Sequence, residues 1–120
     1  MSDLQPDTPE LSAEDGKLVT LARSTRARTR ADEGAAVRDQ DGRTYAAATV
    51  ALPSLQVSAL GVCVAMAVAS GARSLEAAVV LGESGAVTAA DLDAVRDLAG
   101  PGVPVRVGDP KGVVAGVTHT

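Results

Sequence analysis

Large aromatic side chains are almost missing from this chain: of 120 residues only Tyr45 is one, and there is no Phe or Trp. That shortage removes the usual stacking platform for nucleic-acid bases. It also obliges the core to be built from Val, Leu and Ala. Small side chains bury little area each, and folds built this way recruit subunit contacts to make up the deficit, so a homo-oligomer is expected. Cysteine is reduced to Cys63 and histidine to His119. A lone cysteine forms no internal disulfide and suits a reducing cytoplasm, and on an apolar stretch it reads as a core thiol. His119, the penultimate residue, falls in a segment expected to fray, where it has no catalytic or metal role. No Ser/His/acid, Cys/His or paired-carboxylate set suggests an active site. The start lacks the basic-plus-apolar pattern of a signal peptide.

Charge is also missing in places. The first fifteen residues hold five acids, Asp3, Asp7, Glu10, Glu14 and Asp15, and no base, which leaves ten acids to eleven bases in the rest. Residues 1–12 read as a flexible acidic tail, with 13–118 forming a single domain. From Ser54 to Ala72 there is no charge at all. This stretch reads as a buried central helix with Val57–Ala69 as its body, because thirteen residues without a turn signal exceed the usual strand. Ser54 after Pro53 is the expected N-cap and Gly71 the expected stop. At helical spacing Val57, Leu60, Val64 and Val68 make a bulky face for a sheet, and Ser58, Gly61, Ala65 and Ala69 a smooth one open to close approach. Gly61 and Ala65 also fit a small-xxx-small membrane spacing. The run is too short for a bilayer and lacks flanking anchors, so no membrane span is expected.

Around this helix the pattern is readable in order. Ser12 followed by Asp15 resembles a capping box opening a helix from Ala13 to Arg30, with Glu33-Gly34 closing it. Arg23, Arg26, Arg28, Arg30 and Lys17 read as its solvated side rather than a nucleic-acid surface. Asp41-Gly42 between strand-like runs, 35–39 and 43–51, marks a hairpin. Leu75–Leu81 is a strand covered on both faces, and strand, buried helix and strand make a right-handed crossover. Thr88 caps a helix over 89–99, with Asp91 and Asp93 in its solvated first turn. Val103–Val107 is the next strand, with Pro104 near its start, and Val113–Thr118 returns as an antiparallel edge.

This order, with Asp41-Gly42-Arg43-Thr44-Tyr45, Thr49-Val50, the helix end Ala67-Val68-Ala69-Ser70-Gly71, and Pro104-Val105-Arg106-Val107 with Lys111-Gly112, resembles the small zinc-dependent cytidine deaminases over roughly Lys17 to Thr118. The resemblance implies a three-layer α/β/α fold on a mixed sheet of about five strands. It also implies a zinc site built from an H/C-A-E motif at the start of the central helix and P-C-x-x-C before the next, with a glutamate moving protons. Here the first motif falls on Ser58-Ala59-Leu60 and the second near Thr88 to Asp91, where there is no cysteine. The family's ribose-contacting N-x-E falls on Thr49-Val50-Ala51, and the loop that follows is shorter and holds Leu52-Pro53-Ser54-Leu55. One thiol and one imidazole do not supply three soft zinc ligands.

The expectation is therefore a cytidine deaminase-like protein without catalytic residues, metal or cofactor: an oligomeric scaffold or interaction partner of another protein, its former site filled by Leu60 with Leu52 or Leu55. The alternatives are a module that binds a nucleoside or other small molecule at the altered positions Thr49, Ala51, Ser58, Leu60, Thr88 and Asp91, and a divergent deaminase with residual activity. The Ala-, Val- and Arg-rich composition hints at a GC-rich bacterial source.

Overall fold

The computed structural model describes residues 11–120, so the acidic tail expected over 1–12 lies almost wholly outside the described residues. Ser12 does cap the first helix, α1 (Ala13–Thr29), its hydroxyl accepting the Asp15 N–H at 3.0 Å. The second half of the expected capping box does not form. Instead of turning back to the cap, the Asp15 carboxylate reaches into the sheet, accepting from Arg38 Nη1 at 3.1 Å and lying 2.9 Å from Arg106 Nη1 in an ion pair without hydrogen-bond alignment. Arg38 also donates to Glu76 at 3.0 Å.

The helix ends on Arg30 in the left-handed conformation (φ 56°), so Glu33-Gly34 does not close it. These two residues begin β1 (Glu33–Asp39). Gly34 is needed there because a Cβ would strike the Ala22 carbonyl oxygen, which is how closely α1 lies on the strand. The hairpin continues through Asp41-Gly42, with Gly42 at φ 84°, into β2 (Thr44–Ala48). β2 stops short of the expected Ala51, because Val50–Leu52 (β3) leaves the main sheet and pairs with Leu55–Val57 (β4) around a Pro53-Ser54 turn. Ser54 is therefore a turn residue. Ser58 is the cap of the central helix α2 (Ala59–Ala69), accepting the Gly61 N–H at 3.0 Å.

The remaining elements are β5 (Leu75–Gly82), α3 (Ala89–Ala99) capped by Thr88, β6 (Pro104–Gly108) and β7 (Val114–His119). The main sheet runs β2-β1-β5-β6-β7. β1 is antiparallel to both β2 and β5, so those two strands are parallel with β1 between them, while β5 and β6 are directly parallel and β7 is antiparallel to β6. The layers are those of the α/β/α fold. Leu18, Val19 and Ala22 of α1 pack with Ala36, Ala77, Val79 and Leu81 on one sheet face. On the other, Leu60, Cys63, Val64 and Ala67 of α2 and Val95 of α3 meet Ala35, Val37, Ala78, Val80 and Val105.

The faces of α2 are rotated from the expected ones. Val68 is exposed, as are Ala65 and Ala69, and the buried face is Ala59, Leu60, Cys63, Val64 and Ala67. No helix among the described residues is long and apolar enough to cross a membrane. The chain end does not fray: His119 closes β7, and Thr120 donates its N–H to the Val103 carbonyl at 3.1 Å and its hydroxyl to Gly100 O at 2.8 Å.

The buried carboxylate of Asp39 organises the hairpin. Oδ1 accepts the N–H groups of Asp41 (2.9 Å) and Arg43 (3.0 Å), and Oδ2 accepts the Tyr45 hydroxyl at 2.8 Å. Burial pushes its pKa up, but the Tyr45 hydroxyl and the two amides outweigh it, and the net shift is below the ordinary carboxylate value. A depressed folded pKa stabilises the fold above the unfolded value and ceases to do so as pH falls through the folded one. Asp39→Asn should therefore lower the melting temperature at pH 7. The gap from wild type should close as pH drops below about 4. Thermal melts across that range check it, and a gap unchanged between pH 7 and pH 3 would overturn it.

Candidate functional site

A cavity of about 420 Å³ opens where β5 ends and α2 begins, lined by Asp32, Glu33, Thr49, Ser58, Glu83 and Ser84. It lies beyond the carboxyl end of β5, the end at which open α/β sheets present loops and helix N-termini to ligands. Backbone pairing builds its floor. The Thr49 N–H donates to the Glu33 carbonyl at 3.1 Å, and the Glu33 N–H donates to the Thr49 hydroxyl at 3.0 Å. The start of β1 and the end of β2 are thus locked together beneath the opening.

Ser58 links two helices across the site. While accepting the Gly61 N–H, its hydroxyl donates to Asp91 Oδ1 at 2.6 Å, so the cap of α2 is tied to the first turn of α3. Asp91 is half-buried rather than fully solvated as its place in a first turn suggested. Its own N–H donates to the Thr88 hydroxyl at 3.1 Å. The Glu33 carboxyl is pushed above its ordinary value by burial and by the charges of Asp91 and Asp32, against a smaller opposing effect of the Ala59 amide at the N-terminus of α2.

Of the six positions singled out in the sequence, Thr49 and Ser58 line the cavity, and Asp91 is bonded to Ser58. Thr88 serves as the cap of α3. Ala51 sits exposed on β3, outside the lining. Leu60 has no exposed surface and belongs to the core between α2 and the sheet. The expected filling by Leu52 or Leu55 does not occur, since they are 56% and 53% exposed on the β3–β4 hairpin. Sequence reasoning missed Asp32, Glu33, Glu83 and Ser84. The usable signal was the acidic pair Asp32-Glu33 where β1 begins, of which Glu33 was assigned to a helix terminus.

The donors at this site are hydroxyls and carboxylates, and they do not fit the three-ligand Cys/His zinc site that the resemblance implies. Cys63 is buried in the core, its thiol directed at the Tyr45 carbonyl (3.6 Å) and its pKa pushed by burial up to about 12. His119 pairs with Pro104 at the start of β6, the opposite end of the parallel strands from the cavity. Among the described residues no group of three His, Cys, Asp or Glu side chains could hold a metal ion.

A three-layer α/β/α domain on a five-stranded mixed sheet, with a cavity at the N-terminus of its central helix, defines the class. The cytidine deaminase-like family model matches residues 11–112, and the chain belongs to that family. Among solved structures it is similar to a cytidine deaminase from Burkholderia pseudomallei, with a TM-score of 0.76 and 24% identity over 90% of this chain and 92% of that one. It is also similar to a cytidine deaminase from Mycobacterium leprae, with a TM-score of 0.68 and 21% identity over 86% and 90%. At these identities the likeness establishes the shared fold. No curated protein matches the chain.

The burial of Leu60 can be measured. Leu60→Glu places a carboxylate in an apolar core, at a cost on the order of several kcal/mol, whereas Leu60→Met should cost under about 1.5 kcal/mol. Denaturant melts of the two variants check this, and near-equal stabilities would mean that the position opens onto a polar site.

Proposed function

We propose that this protein is a non-catalytic member of the cytidine deaminase-like family, which has lost the zinc site and the catalytic glutamate and acts by association, as an oligomeric scaffold or as the partner of another protein in the cytoplasm. The observation that carries this reading is Leu60. At the position where the resemblance puts the proton-moving glutamate, the side chain is part of the core. Beside it the ligand position is Ser58, whose hydroxyl is committed to Gly61 and Asp91. Neither group can activate a water for attack on a nucleobase in the family's manner.

Association has a surface to use. Helix α2 bears no charge on any side, yet Ala65, Met66 (38%), Val68 (53%) and Ala69 are exposed. A helix face that stays wet normally carries polar side chains, and a contiguous apolar one marks an interface. Leu52 and Leu55 of the β3–β4 hairpin, near the other end of the helix, are also about half exposed. A second reading, a module that binds a small molecule, is favoured by a different observation: the cavity is open rather than plugged.

The purified protein is expected to contain no stoichiometric zinc and to leave cytidine and deoxycytidine unchanged. About one zinc per chain, or turnover that survives repurification and is abolished by chelation, would overturn the proposal. Light scattering at micromolar concentration is expected to report a dimer or tetramer, and Met66→Lys with Val68→Glu should shift it to the monomer. A wild-type monomer would refute association through this face.

A further inference from the structure

We propose that the outer edge of β7 is a self-pairing surface, at which a second copy of this chain docks strand to strand and joins two α2-face dimers into a tetramer. The inference rests on the reading that the protein acts by association, and it names a second face for it. β7 ends the main sheet, and among the described residues no strand pairs with its outer side. The other end of the sheet is different, because both α1 and α2 pack against β2. β7 lies beyond the helical layers, with β6 as its main neighbour. Val114 and Val117 are only half-buried, and Val113 just before the strand is 62% exposed. Open sheet edges are normally guarded by Lys, Pro, an inward-pointing charge or a bulge. β7 has no Pro and no Asp, Glu, Lys or Arg. Its register shift, which leaves Ala115 without a partner, lies near its start, and the pairing from Gly116 onward is regular.

Backbone direction fixes how this edge can be met. Thr120 turns both of its backbone groups toward β6, donating to the Val103 carbonyl at 3.1 Å and accepting the Gly102 N–H at 2.8 Å. Direction alternates along an antiparallel strand, so Thr118, opposite Val105, also faces β6, while Val117 and His119 turn their N–H and C=O groups outward. These two residues are a self-complementary set. A copy laid antiparallel, with the two-fold axis at Thr118, puts Val117 of each chain opposite His119 of the other, so that each strand donates twice and accepts twice. Thr118 then faces its own copy across the axis, a cross-strand pair that stabilises sheets. No like charges meet, since the strand carries none at pH 7. An extended peptide from another protein would take its specificity from recesses for alternate side chains. Nothing lies within 4 Å of where a Cβ on Gly116 would stand, so the strand has no walls there. A strand edge about 20 Å long buries less than the roughly 800 Å² per partner of a stable complex. Two such pairs acting together between two α2-face dimers overcome that deficit, and closed two-fold symmetry supplies both at once.

Val117→Pro tests this, because proline removes an N–H that points outward and leaves the ladder to β6 intact. Light scattering of the full chain, from micromolar concentration upward, is expected to report a tetramer for the wild type and a dimer of half that mass for Val117→Pro. Should Val117→Pro fail to fold, amide hydrogen exchange of the wild type decides the matter. The Val117 and His119 N–H groups are expected to exchange about tenfold or more slowly once the concentration is raised into the tetramer range. A tetramer unchanged by Val117→Pro, or fast exchange at both amides within the tetramer, would overturn the proposal. A wild type that stays a dimer at every concentration would also overturn it, leaving β7 for a different chain while association through α2 stands. A wild-type monomer would instead remove the association on which the inference rests, and the inference with it.

Discussion

The constraint on which this structure depends is a core with almost no large side chains. When Ala and Val do the filling, a helix must lie close to its sheet, or the gap between them forfeits dispersion contacts on both sides. The chain meets that requirement with Ala22 of α1 against Gly34 of β1, where even a methyl group would collide with the helix backbone. On the other face, Ala59 and Ala67 of α2 lie flat among Ala35, Ala47 and Ala78. The position of α1 is further held by charge, since Asp15 reaches Arg38 on β1 and Arg106 on β6, strands separated by β5. With solvent largely excluded, removing one member would strand the others, so the cluster registers the helix over three strands more than it stabilises the fold.

How much of this could be read in advance divides along sequence distance. The Asp41-Gly42 turn and the Thr88 cap are local events, each settled by two to four neighbouring residues, and the structure has them where the residue types say. The start of α2 is also local, but the expected cap Ser54 gives way to Ser58 because Val50–Leu52 and Leu55–Val57 pair with each other. Three-residue strands carry too little periodicity to announce themselves. The faces of α2 were misread for a related reason: a helix apolar all round has no moment to orient it, and the sheet alone decides that Cys63 and Ala67 turn inward while Val68 does not. The contacts of Asp15 with Arg38 and Arg106, and of Ser58 with Asp91, span 23 to 91 residues of chain. No local pattern encodes them.

The candidate site shows the same division. The residue types at Ser58 and Leu60, where the resemblance places a ligand and a glutamate, were legible because they need no folded structure to be read. What took their place was not legible, because Glu33, Glu83 and Asp91 come from three separate elements that only the folded sheet brings near the start of α2. The leucines thought to plug the site are in solvent instead, for a topological reason: β3 and β4 pair with each other and carry them off the main sheet.

This exchange of donors bears on how the fold would persist under the proposed loss of the metal. In the family it resembles, the starts of the central helix and of the next helix are drawn together by a shared ion, and such a tie contributes directly to folding stability. In this chain the same two helix starts are joined by the 2.6 Å hydrogen bond from Ser58 to Asp91, a short, charge-assisted contact. Both residues also take part in their helix caps, Ser58 accepting the Gly61 N–H and Asp91 donating its N–H to Thr88. One contact therefore couples two caps. The fold keeps its cavity because the helices are still held together at this point. On the proposed reading the metal's chemistry is given up at the same point, because what holds the helix starts is a hydroxyl and a carboxylate that hydrogen-bond to each other.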